Sequence, residues 1–160
     1  DLHSFPTRRS SDLHIAPAED ALRRLPDVFD PRLADERFLT MLAHWVDLGR
    51  LNPQRSGHLD LDWRPQSWPI AAGRLRELIA NAADLSQRRG TANGLLRFLE
   101  IATGAGPYAL EERVAGEDGM PVPYHVRLVA PRAARPLGEL IERIVEEEKP
   151  AYVTWELAWR

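Results

Sequence analysis

Leu75, Leu78, Ile79, Ala82 and Leu85 recur three or four residues apart, and Leu95, Phe98, Leu99 and Ala102 repeat that spacing. Each set marks a helix with one apolar stripe. Between them stands Arg88-Arg89-Gly90-Thr91. Two cations in a last turn complement the exposed carbonyls, and a glycine can take the left-handed conformation that closes a helix. Thr91 then reads as an N-cap whose hydroxyl accepts amides near Asn93 and Gly94. So short a corner forces its two helices into contact. The first helix of the pair is expected to start around Ser67 to Pro69 and run to Arg89; Gly104 stops the second.

Upstream, Ile15 to Arg24 is helix-compatible, and Leu25 to Pro31 is expected to be a loop, with Val28 and Phe29 pinning it to the core. A helix from about Asp35 to Leu48 would bury Phe38, Leu39, Leu42, Trp45 and Val46, with Gly49 as its stop. Arg50 to Gln66 is broken by Pro53, Gly57 and Pro65 and reads as irregular. After Gly104 the period changes. Tyr108 to Val114 can form a strand, Gly116 to Gly119 is turn chemistry, and Tyr124 to Val129 alternates polar with apolar. Pro136 opens a helix with Leu137, Leu140, Ile141, Ile144 and Val145 on one face, ended by Lys149-Pro150. Ala151 to Trp159 reads as a last strand, parallel to the preceding one. The expected fold is α+β: an antiparallel helical unit over residues 14–106, then a small ββαβ sheet subdomain over 107–160.

Composition narrows the function. With 44% apolar and 28% charged residues in 160, this is the make-up of a globular chain. A net charge of −3 gives no reason to expect nucleic acid or an anionic membrane. Cysteine is absent, which excludes disulfides, thiolate zinc sites and cysteine nucleophiles. No apolar run approaches the about 20 residues of a membrane span, and no apolar signal-peptide core is expected at the N-terminus. Lys149 is the sole lysine, which fits a GC-rich codon bias. Residues 1–13 are expected to be an artefact, because His3 to Leu13 reads as a translated sequencing adapter.

Catalytic patterns are scarce. His58-Leu59-Asp60-Leu61-Asp62 would place three ligand-type side chains on one face if extended, an arrangement that a metal-binding enzyme could use. A polar loop edge alternating with buried leucines accounts for it equally well. His44 and His125 read as surface or interface histidines. No nucleophile elbow or phosphate-binding glycine loop occurs. Glu146-Glu147-Glu148 closes a helix where negative charge opposes the dipole, so a solvated end partly offset by Lys149 is expected; a partner's arginine is the sharper alternative. Trp155 and Trp159 share a strand face, and with Glu146, Glu147 and Glu148 form the candidate partner interface.

Several segments also fall into a family order: Leu25 to Pro31, Phe38-Leu39 through Leu48, Arg88-Arg89-Gly90-Thr91 with Gly94-Leu95 and Phe98-Leu99, Thr103-Gly104, and Glu148-Lys149-Pro150-Ala151. This order resembles the phage tail protein I-like family, baseplate wedge subunits of contractile-tailed phages and related extracellular contractile injection systems. The likeness spans about Leu22 to Leu157, and the Arg-Arg-Gly-Thr corner and Glu-Lys-Pro-Ala end are its most specific parts. It implies a non-enzymatic scaffold with no cofactor, held in a hetero-oligomer with other baseplate proteins, especially a larger wedge subunit. The implied place is a virion tail or injection-particle baseplate assembled in the bacterial cytoplasm. The family usually has a helical region before the Leu-Pro loop, and this chain departs from it there. An unrelated helical adaptor and a nucleic-acid module are the remaining rival readings.

Overall fold

The computed structural model describes residues 19, 22–23, 25–52, 68–116 and 119–160. Within them the elements run α1 (Leu25–Phe29), α2 (Glu36–Trp45), a 3-10 turn (Leu48–Leu51), α3 (Ala72–Ala80), α4 (Ala82–Gln87) and α5 (Ala92–Thr103). Then come β1 (Ala109–Glu111), β2 (His125–Ala130), a second 3-10 turn (Arg132–Leu137), α6 (Gly138–Glu148) and β3 (Thr154–Trp159). The class is α+β, as expected. In the sheet, β1 pairs antiparallel with β2, and β2 pairs parallel with β3.

Helix α5 is the hub. It buries Leu95, Phe98, Leu99, Ile101 and Ala102 and packs against α3, α4, α6 and β1. The apolar stripes of α3 (Leu75, Leu78, Ile79) and α6 (Leu140, Ile141, Ile144, Val145) meet it in one core. Leu128 and Ala130 supply the sheet's buried side of that core, and Trp155, Leu157 and Trp159 pack against its border.

Element boundaries shift from expectation for local reasons. Leu25 to Phe29 is helical, because Pro26 falls in a first turn where its missing N–H costs nothing. Phe29 remains exposed and stacks on Trp45, with centroids 5.8 Å apart, so neither ring lies in the core as expected. The next helix stops at Trp45, and the chain re-enters a 3-10 turn through Asp47, whose φ is 62°. The long helix begins at Ala72, since Trp68 is tied to Thr40 by its indole N–H (3.1 Å) and Ile70 is buried in a bend.

That helix also breaks at Asn81. The Asn81 side chain donates to the Glu77 carbonyl at 2.7 Å, while its own amide is shared between Glu77 and Leu78. Such back-bonding competes with the regular ladder. Strand β1 is shorter than expected because Tyr124, just before β2, sits at φ 56° and interrupts the ladder, which resumes only as the isolated Ala115–Pro121 bridge. Ala134, buried in the second 3-10 turn, delays the α-helical start from Pro136 to Gly138.

At the corner Gly90 and Thr91 take the conformations that their residue types predict. Gly90 has φ 76°, Thr91 Oγ1 accepts the Gly94 amide at 3.1 Å, and Gly104 closes α5 at φ 68°. Thr91 also donates its hydroxyl to the Arg88 carbonyl at 2.7 Å. Open space surrounds a β-carbon built on Gly90, whereas one on Gly94 would lie 2.2 Å from that same carbonyl oxygen. Gly90 is needed for its backbone angle, Gly94 for close packing. Gly94→Ala is therefore expected to cost about 2 kcal/mol by overpacking, and Gly90→Ala about 1 kcal/mol by left-handed strain. Urea unfolding of both variants checks the order; a larger loss at Gly90 would contradict the role given to Gly94.

Candidate functional site

Glu148 organises the region around the corner. Its side chain is 6% exposed, although it ends a helix of glutamates expected to be solvated. Burial is tolerable because the carboxylate is paired within the chain. Arg50, itself 11% exposed, donates through Nη2 to one oxygen, and Arg89 Nε lies 3.7 Å from the other. Asp47 completes the set, 3.0 Å from Arg50 Nη1 and 3.5 Å from Arg89 Nη1. Two cations and two anions thus neutralise each other where the 3-10 turn, the corner and the end of α6 converge. The Nε of Arg50 is buried with no hydrogen-bond partner among the described residues, a cost that the rest of the network must offset.

The two corner arginines divide their work. Arg88 pairs with Asp84 one turn back, at 3.0 Å. Arg89 reaches across to α6 and donates to the Glu147 carbonyl at 3.1 Å, so it caps a different helix from the one it terminates. Sequence reasoning placed both arginines at their own helix end and missed Asp47 and Arg50 altogether. One signal was available: a helix ending in three glutamates and one lysine needs cations from elsewhere.

Beside this network lies an open groove of about 260 Å³. Leu95, Leu110, Val126, Pro150 and Val153 give it an apolar lining, with Thr91, Glu112, Tyr124, His125 and Lys149 as polar contributors. Gly90 and Glu148 border it too, so the Arg-Arg-Gly-Thr corner and the Glu-Lys-Pro-Ala end, distant in sequence, meet in one place. His125 Nδ1 is 2.9 Å from Thr154 Oγ1, its register partner on β3. The threonine hydroxyl also lies 3.3 Å from the Tyr124 carbonyl, and the His125–Thr154 hydrogen bond acts as a cross-strand clasp.

Residues 6–152 match the model of a family described as Phage tail protein (Tail_P2_I). The chain belongs to this phage tail protein family. No curated protein matches it. A place in the virion tail, among other tail components, follows from that membership.

In this tail protein His44 is exposed, while His58, Asp60 and Asp62 lie outside the described residues. Among the described residues no three His, Asp or Glu side chains are grouped to hold a metal ion. Trp155 and Trp159 are half-buried on the core-facing side of β3. Trp155 donates its indole N–H to Glu146 at 2.6 Å, and Trp159 lies under the Arg135 guanidinium at 5.8 Å. Glu147 is exposed, and Glu146 also pairs with Lys149 at 3.3 Å. Exposed aromatics continue along the groove's mouth: Tyr124 and Tyr152 meet edge to face, centroids 5.5 Å apart.

Two outcomes follow from these contacts. Glu148→Ala leaves two arginines facing an emptied site, and removing one partner of a buried pair costs about 3 kcal/mol. Arg89→Ala, at a half-exposed position, is expected to cost about 1 kcal/mol or less. Chemical denaturation of the two variants separates them, and equal losses would contradict the central place of Glu148. The indole hydrogen bond holds the Glu146 carboxyl below the ordinary glutamate range, with Lys149 adding to the effect. A depressed carboxylate stabilises the fold above its unfolded pKa and loses that contribution as pH falls through its folded pKa. Carbon-detected NMR titration should find Glu146 shifted up in Trp155→Phe; an unchanged midpoint would remove the indole as the cause.

Proposed function

We propose that this protein is a non-enzymatic wedge scaffold of a contractile-tail or injection-system baseplate, binding other baseplate proteins and above all a larger wedge subunit. Family membership supplies the setting. The observation that carries the reading is the joining of the corner and the Glu148 to Ala151 segment around one groove. There the charged groups are spent on each other, which ties the 3-10 turn and the corner before α5 to the end of α6. A scaffold depends on such fixed geometry, since binding to a rigid surface avoids the cost of ordering it on assembly. The apolar groove and the Tyr124–Tyr152 pair beside it are the chemistry of a protein contact, rich in aromatic area.

The test is co-expression of the chain with each tail protein encoded by its gene neighbours, the larger wedge protein included, followed by size-exclusion chromatography with light scattering. Co-elution in a defined ratio with at least one of them is expected. A folded chain that elutes alone in every pairing would refute the scaffold reading.

A further inference from the structure

Strand β3 lies at one edge of the sheet. The Thr154 and Arg160 amides donate to the Tyr124 and Ala130 carbonyls at 2.8 and 3.0 Å. Backbone direction alternates along a strand, so Trp155, Leu157 and Trp159 turn their N–H and C=O groups away from β2. Among the described residues no strand lies beyond β3, leaving three donors and three acceptors in a row. Natural edges are usually blunted by proline, lysine, a bulge or a very short strand. The sequence Thr-Trp-Glu-Leu-Ala-Trp has six residues and neither proline nor lysine. At the other edge, β1 has only three residues.

Charge on the solvent face says what could sit there. Glu111, Arg127 and Glu156 are in register across the three strands. Arg127 donates Nε to Glu156 and Nη1 to Glu111, the latter at 3.2 Å. The row therefore alternates acid, base, acid, with a single cation shared by two carboxylates. Both edges end on an acid. A second copy docking edge to edge with these rows aligned would set glutamate against glutamate, which is unfavourable directly across a strand pair. A basic side chain beside Glu156 would instead continue the alternation. Trp155 and Trp159, half-buried on the opposite face of β3, offer apolar area next to the same edge.

We propose that the β3 edge accepts an extended segment of another tail protein as a fourth strand, with an arginine or lysine of that segment beside Glu156. Main-chain hydrogen bonds would hold the segment, and the charged row would set its register and exclude self-pairing. The inference rests on the reading that this chain binds other tail proteins, and it assigns that binding to one edge.

The test uses isotope-labelled full-length chain, alone and in complex with the neighbouring tail protein that co-elutes with it. In the free protein the amides of Trp155, Leu157 and Trp159 should exchange quickly, while those of Glu156, Ala158 and Arg160 are protected. In the complex, the first three should slow by about tenfold or more as they gain partners. Glu156→Arg should weaken the complex by about tenfold at low salt, because an attraction becomes a repulsion. Continued protection of Ala158 and Arg160 shows that the variant's sheet is intact. A complex that forms while Trp155, Leu157 and Trp159 stay unprotected overturns the edge assignment and leaves the scaffold reading standing. Failure of the wild-type chain to bind any neighbouring tail protein overturns both.

Discussion

Everything in this molecule turns on the buried carboxylate of Glu148. Hydrophobic contacts bring α5 and α6 together, but they are non-directional and would tolerate sliding. The ion pairs do not. Arg50 and Arg89 approach Glu148 from two separate elements, and Arg89 also grips the adjacent helix-end carbonyl. A displacement of the turn that carries Arg50 would leave a charge buried without its main partner, a penalty large against the marginal stability of a domain. Position is thereby specified where packing alone would leave latitude.

Much of the fold was legible in the sequence because local chemistry and tertiary demand agree there. The stripes on α3, α5 and α6 are core; the glycine–threonine corner and Gly104 behave as their backbone preferences require. The parallel pairing of the last two strands followed from their order around a helix. Errors arose where a side chain made a contact that apolar spacing does not encode. Trp45 looked like core by spacing but stacks on Phe29 at the surface, and Asn81 interrupts a helix that apolar periodicity ran straight through. Likewise, Gly94 has helical surroundings; only the approach of the Arg88 carbonyl shows why no larger residue fits.

The site was half legible. Arg88, Arg89, Gly90 and Thr91 were visible as a corner, and Glu146 to Glu148 as an unfavourable helix end. That one answers the other could not be read from spacing, because Arg89 and Glu147 are 58 residues apart. Glu148 in particular seemed a solvated charge, since Lys149 beside it could offset three glutamates only in part. Trp155 and Trp159, by contrast, were placed correctly on one strand face, and their dual position against the core and beside an open edge is a tertiary fact.

The span of the charge network bears on how the protein is made. Its members come from the 3-10 turn, the corner and the end of α6, and Glu148 follows Arg50 by 98 residues. Closing so long a loop costs entropy that only later contacts repay, which slows the final step relative to local helix formation. During synthesis the corner can form as soon as α5 has emerged, since its hydrogen bonds are all local. The angle between the helices cannot lock until Glu148 arrives, and β3 follows only a few residues later. The ribosome therefore finishes the rigid frame and the sheet's outer strand almost together.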